Sequence, residues 1–470
     1  MQPVQSPATA TSFPEGFVWG AASSAYQIEG AATADGKGPS IWDVFSHKPG
    51  ATFMGHTGDL ACDHYNRYRE DTSLMAQIGL KAYRFSVSWP RVLPEGTGRV
   101  NEAGLAFYER LVDALLGAGI QPWLTLFHWD YPQALYCRGG WLNRESPDWF
   151  ADYARVIVDR LSDRVKHWIT INEPQIFLGP DHGDACGAPG MRPTTGERLI
   201  TAHHALMGHG RAARVIRDLA RTKAQVGWAP IGRTKTPATG SPADIEAARA
   251  LTLSVSTRDF WNNTWFADPV CLGRYPEDGI RLYGQPMSFV RPGDMEVIRQ
   301  PLDFYGVNVY DAELVQAGSD GHAPRIVARG PGHPQTAIRW FIDPESLYWG
   351  PRFLYERYRV PLVITENGMS GIDWVSLDGK VHDPQRIDYT HRYLLSLRRA
   401  IADGTDVRGY FHWSIMDNCE WQQGYKERFG LIHVDFETQK RTLKDSAHWY
   451  SRVIASNGAS LALPLAYGLK

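Results

Sequence analysis

The sequence predicts an α/β fold: a (β/α)8 TIM barrel forming a single domain with long βα loops. Three observations carry this. Short apolar, β-branched or aromatic runs recur eight times, at 17–22, 82–89, 120–128, 167–173, 225–231, 304–310, 362–366 and 407–415. A longer helical pattern separates one run from the next, which argues for a parallel sheet, and eight repeats argue for closure. An open doubly wound sheet usually carries a glycine-rich phosphate turn after its first strand. Here the first run leads into Ala-Ser-Ser-Ala-Tyr-Gln instead.

The helices announce their starts. Ser146-Pro147-Asp148 offers a cap, a first-turn proline and an acid at the positive end of the helix dipole, and Trp149, Phe150, Tyr153, Val156, Ile157 and Leu161 follow at helical spacing. Asp383-Pro384 repeats the device, with Gly404 as the expected stop. Segments 101–118 and 195–221 also read as helices. Segments 30–59, 177–192 and 312–335 exceed ordinary loop lengths and, on a barrel, are expected to build a cleft. The expected layout is a flexible N-terminus at 1–12, the barrel at 13–460 and a C-terminal tail at 461–470.

Composition narrows the partners. A formal net charge of −2 over 470 residues points to neither nucleic acid nor an acidic membrane. Five widely spaced cysteines without a C-x-x-C pair read as reduced thiols. The stretch from Met1 to Phe13 has neither the basic start nor the apolar centre of a signal peptide, so a cytoplasmic protein is expected. No run reaches membrane-span length. Aromatics fill cores, so most of the 17 Trp read as structural, and a surplus of them is also what a cleft that packs sugar C–H faces on flat rings would need.

The chemistry sits at strand ends. Leu362-Val363-Ile364-Thr365 leads into Glu366, and Thr170-Ile171-Asn172 into Glu173. The C-terminal ends of barrel strands are where such folds place catalysis. Gly368 is expected to turn the chain away through a positive φ. Two carboxyls facing each other are the minimal equipment for glycoside cleavage, one protonated to assist departure and one ionised to attack or to activate water.

Several motifs share these positions: Phe17-Val18-Trp19-Gly20 with Gln27-Ile28-Glu29-Gly30, Tyr83-Arg84-Phe85-Ser86, Leu126-Phe127-His128-Trp129-Asp130, Asn172-Glu173-Pro174, Thr365-Glu366-Asn367-Gly368 and the stretch from Trp413 to Gly430. From Phe17 to about Tyr450 the chain resembles the β-glucosidases of glycoside hydrolase family 1. The resemblance implies a retaining hydrolase acting on small β-glucosides and cello-oligosaccharides in carbohydrate and cellulose breakdown. It implies Glu366 as nucleophile and Glu173 as acid/base, with Arg84, Asn308 and Tyr310 beside them. It places Gln27, His128, Trp129, Asn172, Trp413, Glu420, Trp421 and Phe429 on the substrate, Asn172 at the 2-hydroxyl and Glu420 at the 4- and 6-hydroxyls. No metal or other cofactor is implied, and a homo-oligomer stays open.

It further implies carboxyls roughly 5 Å apart, a bell-shaped pH profile and a cis peptide at Trp413-Ser414. Glu366 is expected to stay ionised beside Arg84 and Tyr310, and Glu173 to be raised by its neighbour's charge and by burial. A carboxylate at 420 is expected to repel a sugar 6-phosphate. Strand alternation puts Asn172 and Glu173 on opposite faces, so the strand end must twist or bulge. Three departures from the family pattern stand out: Asn308-Val309-Tyr310 in place of two tyrosines, Tyr131-Pro132 after the third strand, and Pro180, Asp181, His182 and Asp184 in the 179–190 loop.

Other readings exist for the same residues. Asp63, Asp130, Asp417 and the Arg84 group could form one structural ion network. His203, His204 and His209 lie on a helical stretch without the H-E-x-x-H metal pattern. A metal-dependent barrel hydrolase would want an H-x-H after the first strand, which is missing. A sugar-binding protein that had lost catalysis would lack one of the two glutamates.

Overall fold

The computed structural model describes residues 11–178, 187–319 and 322–465. Eight strands run parallel: β1 Val18–Ala22, β2 Ala82–Ser86, β3 Gln121–Phe127, β4 His167–Asn172, β5 Gln225–Ala229, β6 Tyr305–Asn308, β7 Leu362–Asn367 and β8 Val407–Trp413. Their order is β5-β4-β3-β2-β1-β8-β7-β6. The remaining seam, between β5 and β6, is drawn together by Asp303 N to Val226 O at 2.8 Å, Asn308 N to Pro230 O at 3.0 Å and Gly232 N to Asn308 O at 2.7 Å. The sheet is therefore a nearly closed barrel with helices between its strands, in a single domain.

Side chains fill the barrel. Ala22, Ala82, Trp123, Ile169, Ala229, Phe304, Val363 and Phe411 form one buried cluster inside it. Trp123 stacks on the His167 ring at 4.2 Å and touches Phe304 and Phe411. The large rings have room because small residues face them: a Cβ at Gly20 would stand 2.5 Å from Phe411, and one at Gly227 2.4 Å from Phe304. This plug is the floor on which the strand-end residues rest.

Helices cover the outside with apolar stripes. Helix Ser146–Leu161 buries Trp149, Phe150, Tyr153, Ile157, Val158 and Leu161 and leaves Asp152, Arg155 and Asp159 in water. It packs on helix Thr195–Leu219, which begins with a capping box between Thr194 and Glu197. The two proline starts work differently from expectation. Ser146 is already helical, and Asn143 Oδ1 takes the Glu145 N–H instead. Asp383 accepts from the Arg386 and Ser446 side chains rather than from a first-turn backbone N–H of the helix it precedes. The segment from 312 holds two strands, Ala312–Gln316 and Arg325–Val327, in a small sheet with Thr234–Pro237. Helix Ile41–Ser46 interrupts the 30–59 segment. Leu461 is buried in the core, so packed chain continues past residue 460. Residues 1–10 of the expected flexible start and most of the 179–190 loop, with Pro180, Asp181, His182 and Asp184, lie outside the described residues. No described helix is long and apolar enough to cross a membrane.

Candidate active site

Four strand ends meet above the plug. Arg84 of β2 donates from Nη1 to Glu366 Oε1 at 2.5 Å and to Thr365 O at 3.0 Å, and from Nη2 to Asn172 Oδ1 at 2.5 Å. The Tyr310 hydroxyl donates to Glu366 Oε2 at 2.6 Å. Asn308, at the end of β6, donates to Glu173 Oε1 at 2.8 Å and to Asn172 Oδ1 at 3.0 Å. Thr365 Oγ1 fixes that amide by donating to Asn308 Oδ1 at 2.6 Å. Asn172 Nδ2 meets His128 Nε2 at 3.0 Å, and Trp129 Nε1 donates to Asn172 O at 3.1 Å. Both glutamates are thus tied into one network although they arrive from distant parts of the chain.

The backbone explains how neighbours on one strand reach the same place. The β4–β5 register shifts between Ile169 and Asn172, and Glu173 then adopts φ +44. That left-handed turn swings Glu173 back to the side Asn172 already faces. Trp129 and Trp421 also stand at positive φ, +76 and +51. Three non-glycine residues in a costly region, all around one cleft, mark where the fold holds strain. Gly368 differs from expectation: its φ is not positive, but a Cβ there would stand 1.9 Å from the Trp413 carbonyl oxygen. Close approach, not turning, demands glycine. The Trp413-Ser414 peptide is cis.

The open cleft holds about 280 Å³ and is lined by His128, Trp129, Glu173, Tyr310, Glu366, Trp413, Glu420 and Trp421. Gln27, Arg84, Asn172, Asn308 and Phe429 stand behind that lining. Gln27 donates to Glu420 Oε2 at 3.0 Å and to Asn418 Oδ1 at 3.0 Å. Phe429 is buried against Trp340 and Tyr310. Trp421 packs on Trp129 at 4.4 Å and on Trp42 at 4.6 Å, and His128 stacks on Trp413 at 5.8 Å.

Burial sets the electrostatics. It pushes Glu173 well above the usual carboxylate range, and the charge of Glu366 pushes it further. Burial also raises Glu366, an effect beyond the two partners named from the sequence. Arg84 and the Tyr310 hydroxyl then pull Glu366 back. Two donors with one full charge hold Glu366, while Glu173 accepts one amide bond, so the proton of the pair belongs on Glu173. Glu420 is pushed up to about 8 by burial, then by Glu366, with Gln27 opposing. At neutral pH it is largely the neutral acid, which weakens the charge argument against sugar phosphates. Burial and Arg84 hold His128 well below the usual imidazole value, so it is neutral.

The single ion network does not exist. Asp417 pairs with Arg428 and Lys444, Asp63 with Arg67, and Arg84 with Glu366. Neither Asp130 oxygen has a hydrogen-bond partner among the described residues. His203 bonds Tyr275 and Asp294, His204 the Trp141 carbonyl and His209 Thr170, so the three serve packing. Among the described residues no group of three His, Cys, Asp or Glu side chains could hold a metal ion.

The sequence profile of glycosyl hydrolase family 1 matches residues 9–459. The chain belongs to glycosyl hydrolase family 1. It is 45% identical to beta-glucosidase A of Thermotoga maritima over 95% of this chain and 98% of that protein. It is 45% identical to a 1,4-beta-D-glucan glucohydrolase of Thermotoga neapolitana over 95% of this chain and 99% of that one. The solved Thermotoga maritima beta-glucosidase in complex with glucoimidazole superimposes with a TM-score of 0.87 at 45% identity, covering 96% of this chain and 100% of that one. The chain is accordingly an enzyme of β-glucosidase type, a hydrolase of O-glycosyl bonds.

Within this family 1 barrel, the sequence reading missed one wall of the cleft. Ile176, Ile231, Arg233, Trp261, Asp311, Ile338 and Trp340 also line it. Trp340 packs on Tyr310 at 5.0 Å, in a turn where Arg339 takes φ +67. Ile231 ends the fifth apolar run, and that strand-end position was the available signal. Trp261 and Trp340 carry no such sign, because they come from segments between strands.

Proposed function

We propose that this family 1 enzyme removes terminal non-reducing β-glucosyl residues from β-glucosides and short cello-oligosaccharides with net retention, by double displacement. The observation that carries the reading is the asymmetry of the two glutamates. Glu366 is gripped at both oxygens, by Arg84 at 2.5 Å and Tyr310 at 2.6 Å, whereas Glu173 is buried with Asn308, at 2.8 Å, as its one donor among the described residues.

In the first step Glu366 attacks the anomeric carbon and the glycosidic bond breaks. The proton on Glu173 goes to the departing oxygen. The product is an ester between Glu366 and the sugar, and its formation removes the Glu366 charge. Glu173, now ionised beside a neutral ester, takes a proton from water as that water attacks the same carbon. The free acid on Glu173 and the carboxylate on Glu366 return. Asn308 and Asn172 position the pair, and Asn172 Nδ2 keeps an N–H for the sugar 2-hydroxyl. Glu420, Gln27 and neutral His128 supply mixed donors and acceptors for the remaining hydroxyls, and Trp413 and Trp421 the flat faces.

A reducing, cytoplasmic compartment belongs to the same reading. It is supported by Cys62, Cys137, Cys271 and Cys419, which are free thiols.

The test is the fate of the anomeric centre. Magnetic resonance of the first product from a nitrophenyl β-glucoside should show the β-anomer. Glu366→Ala should be inactive in water and regain turnover with azide, giving the inverted α-glucosyl azide. First-formed α-glucose from the wild type would sink the double displacement. A panel of nitrophenyl glucoside, galactoside and fucoside ranks the glycone.

A further inference from the structure

Glu366 and Glu420 both line the cleft, and each belongs to a segment that runs on from a strand. Past Glu366 the chain passes through Met369 and Gly371 to Asp373. On the other segment, from Trp413 to Gly430, Asp417 comes just before Glu420. The two segments share one buried cluster of charges. Asp373, Asp383 and Asp417 are its carboxylates, and Arg386, Arg428 and Lys444 its cations.

The contacts divide by position. Arg386 donates to the Met369 carbonyl, to Asp373 and to Asp383, and reaches the Arg428 carbonyl at 3.0 Å. Gly371 N donates to that same carbonyl at 2.9 Å. These bonds hold the second segment where it leaves the cleft. Nearer Glu420 the link is Lys444, whose Nζ donates to Asp373 Oδ2 at 2.5 Å and to Asp417 Oδ1 at 2.6 Å. Its side chain is fully buried, and it stands at the start of helix Asp445–Ala455 with its own N–H on the Leu431 carbonyl. Asp417 is held in turn by Arg428 at 2.7 Å and by Gly430 N at 3.0 Å.

A buried charge cluster is weak evidence for stability, because apolar side chains of similar volume often serve as well or better. What ionic bonds add is direction. We propose that Lys444 is a positioning residue: by bridging Asp373 and Asp417 it fixes Glu420 relative to Glu366, and so sets the preference for a sugar that carries a hydroxymethyl group. The inference rests on the proposed glycosidase reading, in which Glu366 attacks the anomeric carbon while Glu420 meets hydroxyls at the other end of the same ring. A pyranose is stiff. When one glutamate shifts against the other, the ring follows its hydroxyls and the anomeric carbon moves off the attacking oxygen.

The experiment compares a nitrophenyl β-glucoside with the β-xyloside, the same sugar without its hydroxymethyl group. Wild type should prefer the glucoside. Lys444→Met and Asp373→Asn each cut the bridge. Each also leaves the remaining charges partnered, since Asp417 keeps Arg428 and Arg386 keeps Asp383. Each should lower kcat/KM roughly tenfold on the glucoside and at most about twofold on the xyloside. The double variant removes one charge of each sign. It should melt above either single variant, yet stay as slow on the glucoside as they are, because one bridge can be lost only once. If a single variant fails to fold, the charge-balanced double variant carries the same comparison of sugars. Glucoside turnover that recovers with Tm in the double variant would mean that the cluster only stabilises the fold, and would overturn the inference. Equal losses on the two sugars, or losses that multiply in the double variant, would overturn it too. A wild type with no preference for the glucoside over the xyloside would overturn this inference alone. No turnover of the glucoside by wild type would overturn the proposed function and this inference with it.

Discussion

Arg84 Nη1 lies 2.5 Å from Glu366 Oε1, and both side chains are almost wholly buried, at 1% and 4% exposure. A buried charge pair is worth little over an apolar pair of the same shape, yet removing one partner is costly. Its place here is better explained by chemistry than by stability: the cation keeps a buried carboxyl ionisable.

Arg84→Met should therefore raise the pKa of Glu366. The form that attacks is the anion, so activity is lost as pH falls through that value. Raising it moves the acidic limb of the kcat/KM profile to higher pH, and kcat should fall roughly a hundredfold or more. Arg84→Lys keeps a charge but loses the fork that reaches Glu366, Thr365 and Asn172 together, so its limb should move less. An acidic limb that stays in place in Arg84→Met would show that Glu366 does not depend on Arg84.

Tyr310→Phe removes the second donor and leaves the ring. Lost hydrogen bonds to charged groups run to about 1.5–3 kcal/mol, so kcat/KM should drop roughly 10- to 100-fold. The acidic limb should move in the same direction as with Arg84→Met. A fall in kcat/KM with no change in the limb would make Tyr310 a substrate contact rather than a partner of Glu366.

The barrel and the two acids were legible because their signals are local. An unbroken apolar run ending in Glu marks a buried strand with a charge at its mouth, and Leu362 to Glu366 shows that pattern. What stayed hidden depends on distant contacts. That Asn308 would join Glu173 to Asn172 follows from the meeting of β6 and β4, which no stretch of sequence displays. The need for glycine at 368 comes from the Trp413 carbonyl, brought in by a neighbouring strand. Trp261 and Trp340 reach the cleft from segments between strands. The upward shift of Glu366 was missed because its partners could be named from sequence, while the depth of its burial could not.

Glu173→Gln keeps the shape and the bond from Asn308 but carries no transferable proton. With a poor leaving group, kcat should fall roughly 10²–10⁴-fold. With a dinitrophenyl leaving group, which departs unaided, the first step should survive and the glycosyl-enzyme should accumulate, seen as a burst. The basic limb of the wild-type profile, where activity falls as the Glu173 proton is lost with rising pH, should disappear. An equal loss on both substrates would contradict the acid role.

Glu420 links the site to stability. Its pKa is pushed up to about 8, against roughly 4.3 for a glutamate in an unfolded chain. The folded state then binds this proton more tightly than the unfolded state. Its contribution is most favourable below the unfolded value and is lost as pH rises toward the folded one. Glu420→Gln stays neutral throughout, so it should stabilise the chain by about 4–5 kcal/mol at pH 8 relative to wild type and change little at pH 4. Thermal melts at the two pH values measure this. Equal differences at both would mean Glu420 is ionised in the folded enzyme at neutral pH.

Glu173 stands at φ +44, a region that costs a residue with a Cβ about 1–2 kcal/mol and a glycine almost nothing. Glu173→Ala and Glu173→Gly both delete the carboxyl and its bond from Asn308. They differ in the backbone: alanine keeps the strain, and glycine relieves it at the cost of a more mobile unfolded chain. Glu173→Gly should therefore be the more stable by about 1 kcal/mol, read as the difference in denaturant midpoint at equal slope. Elsewhere in a barrel of this kind, exchanging alanine for glycine at a strand end would weaken the fold. A reversed order at 173 would mean that the left-handed turn relaxes once the side chain is gone, and that Glu173 itself, through Asn308, holds the turn in place.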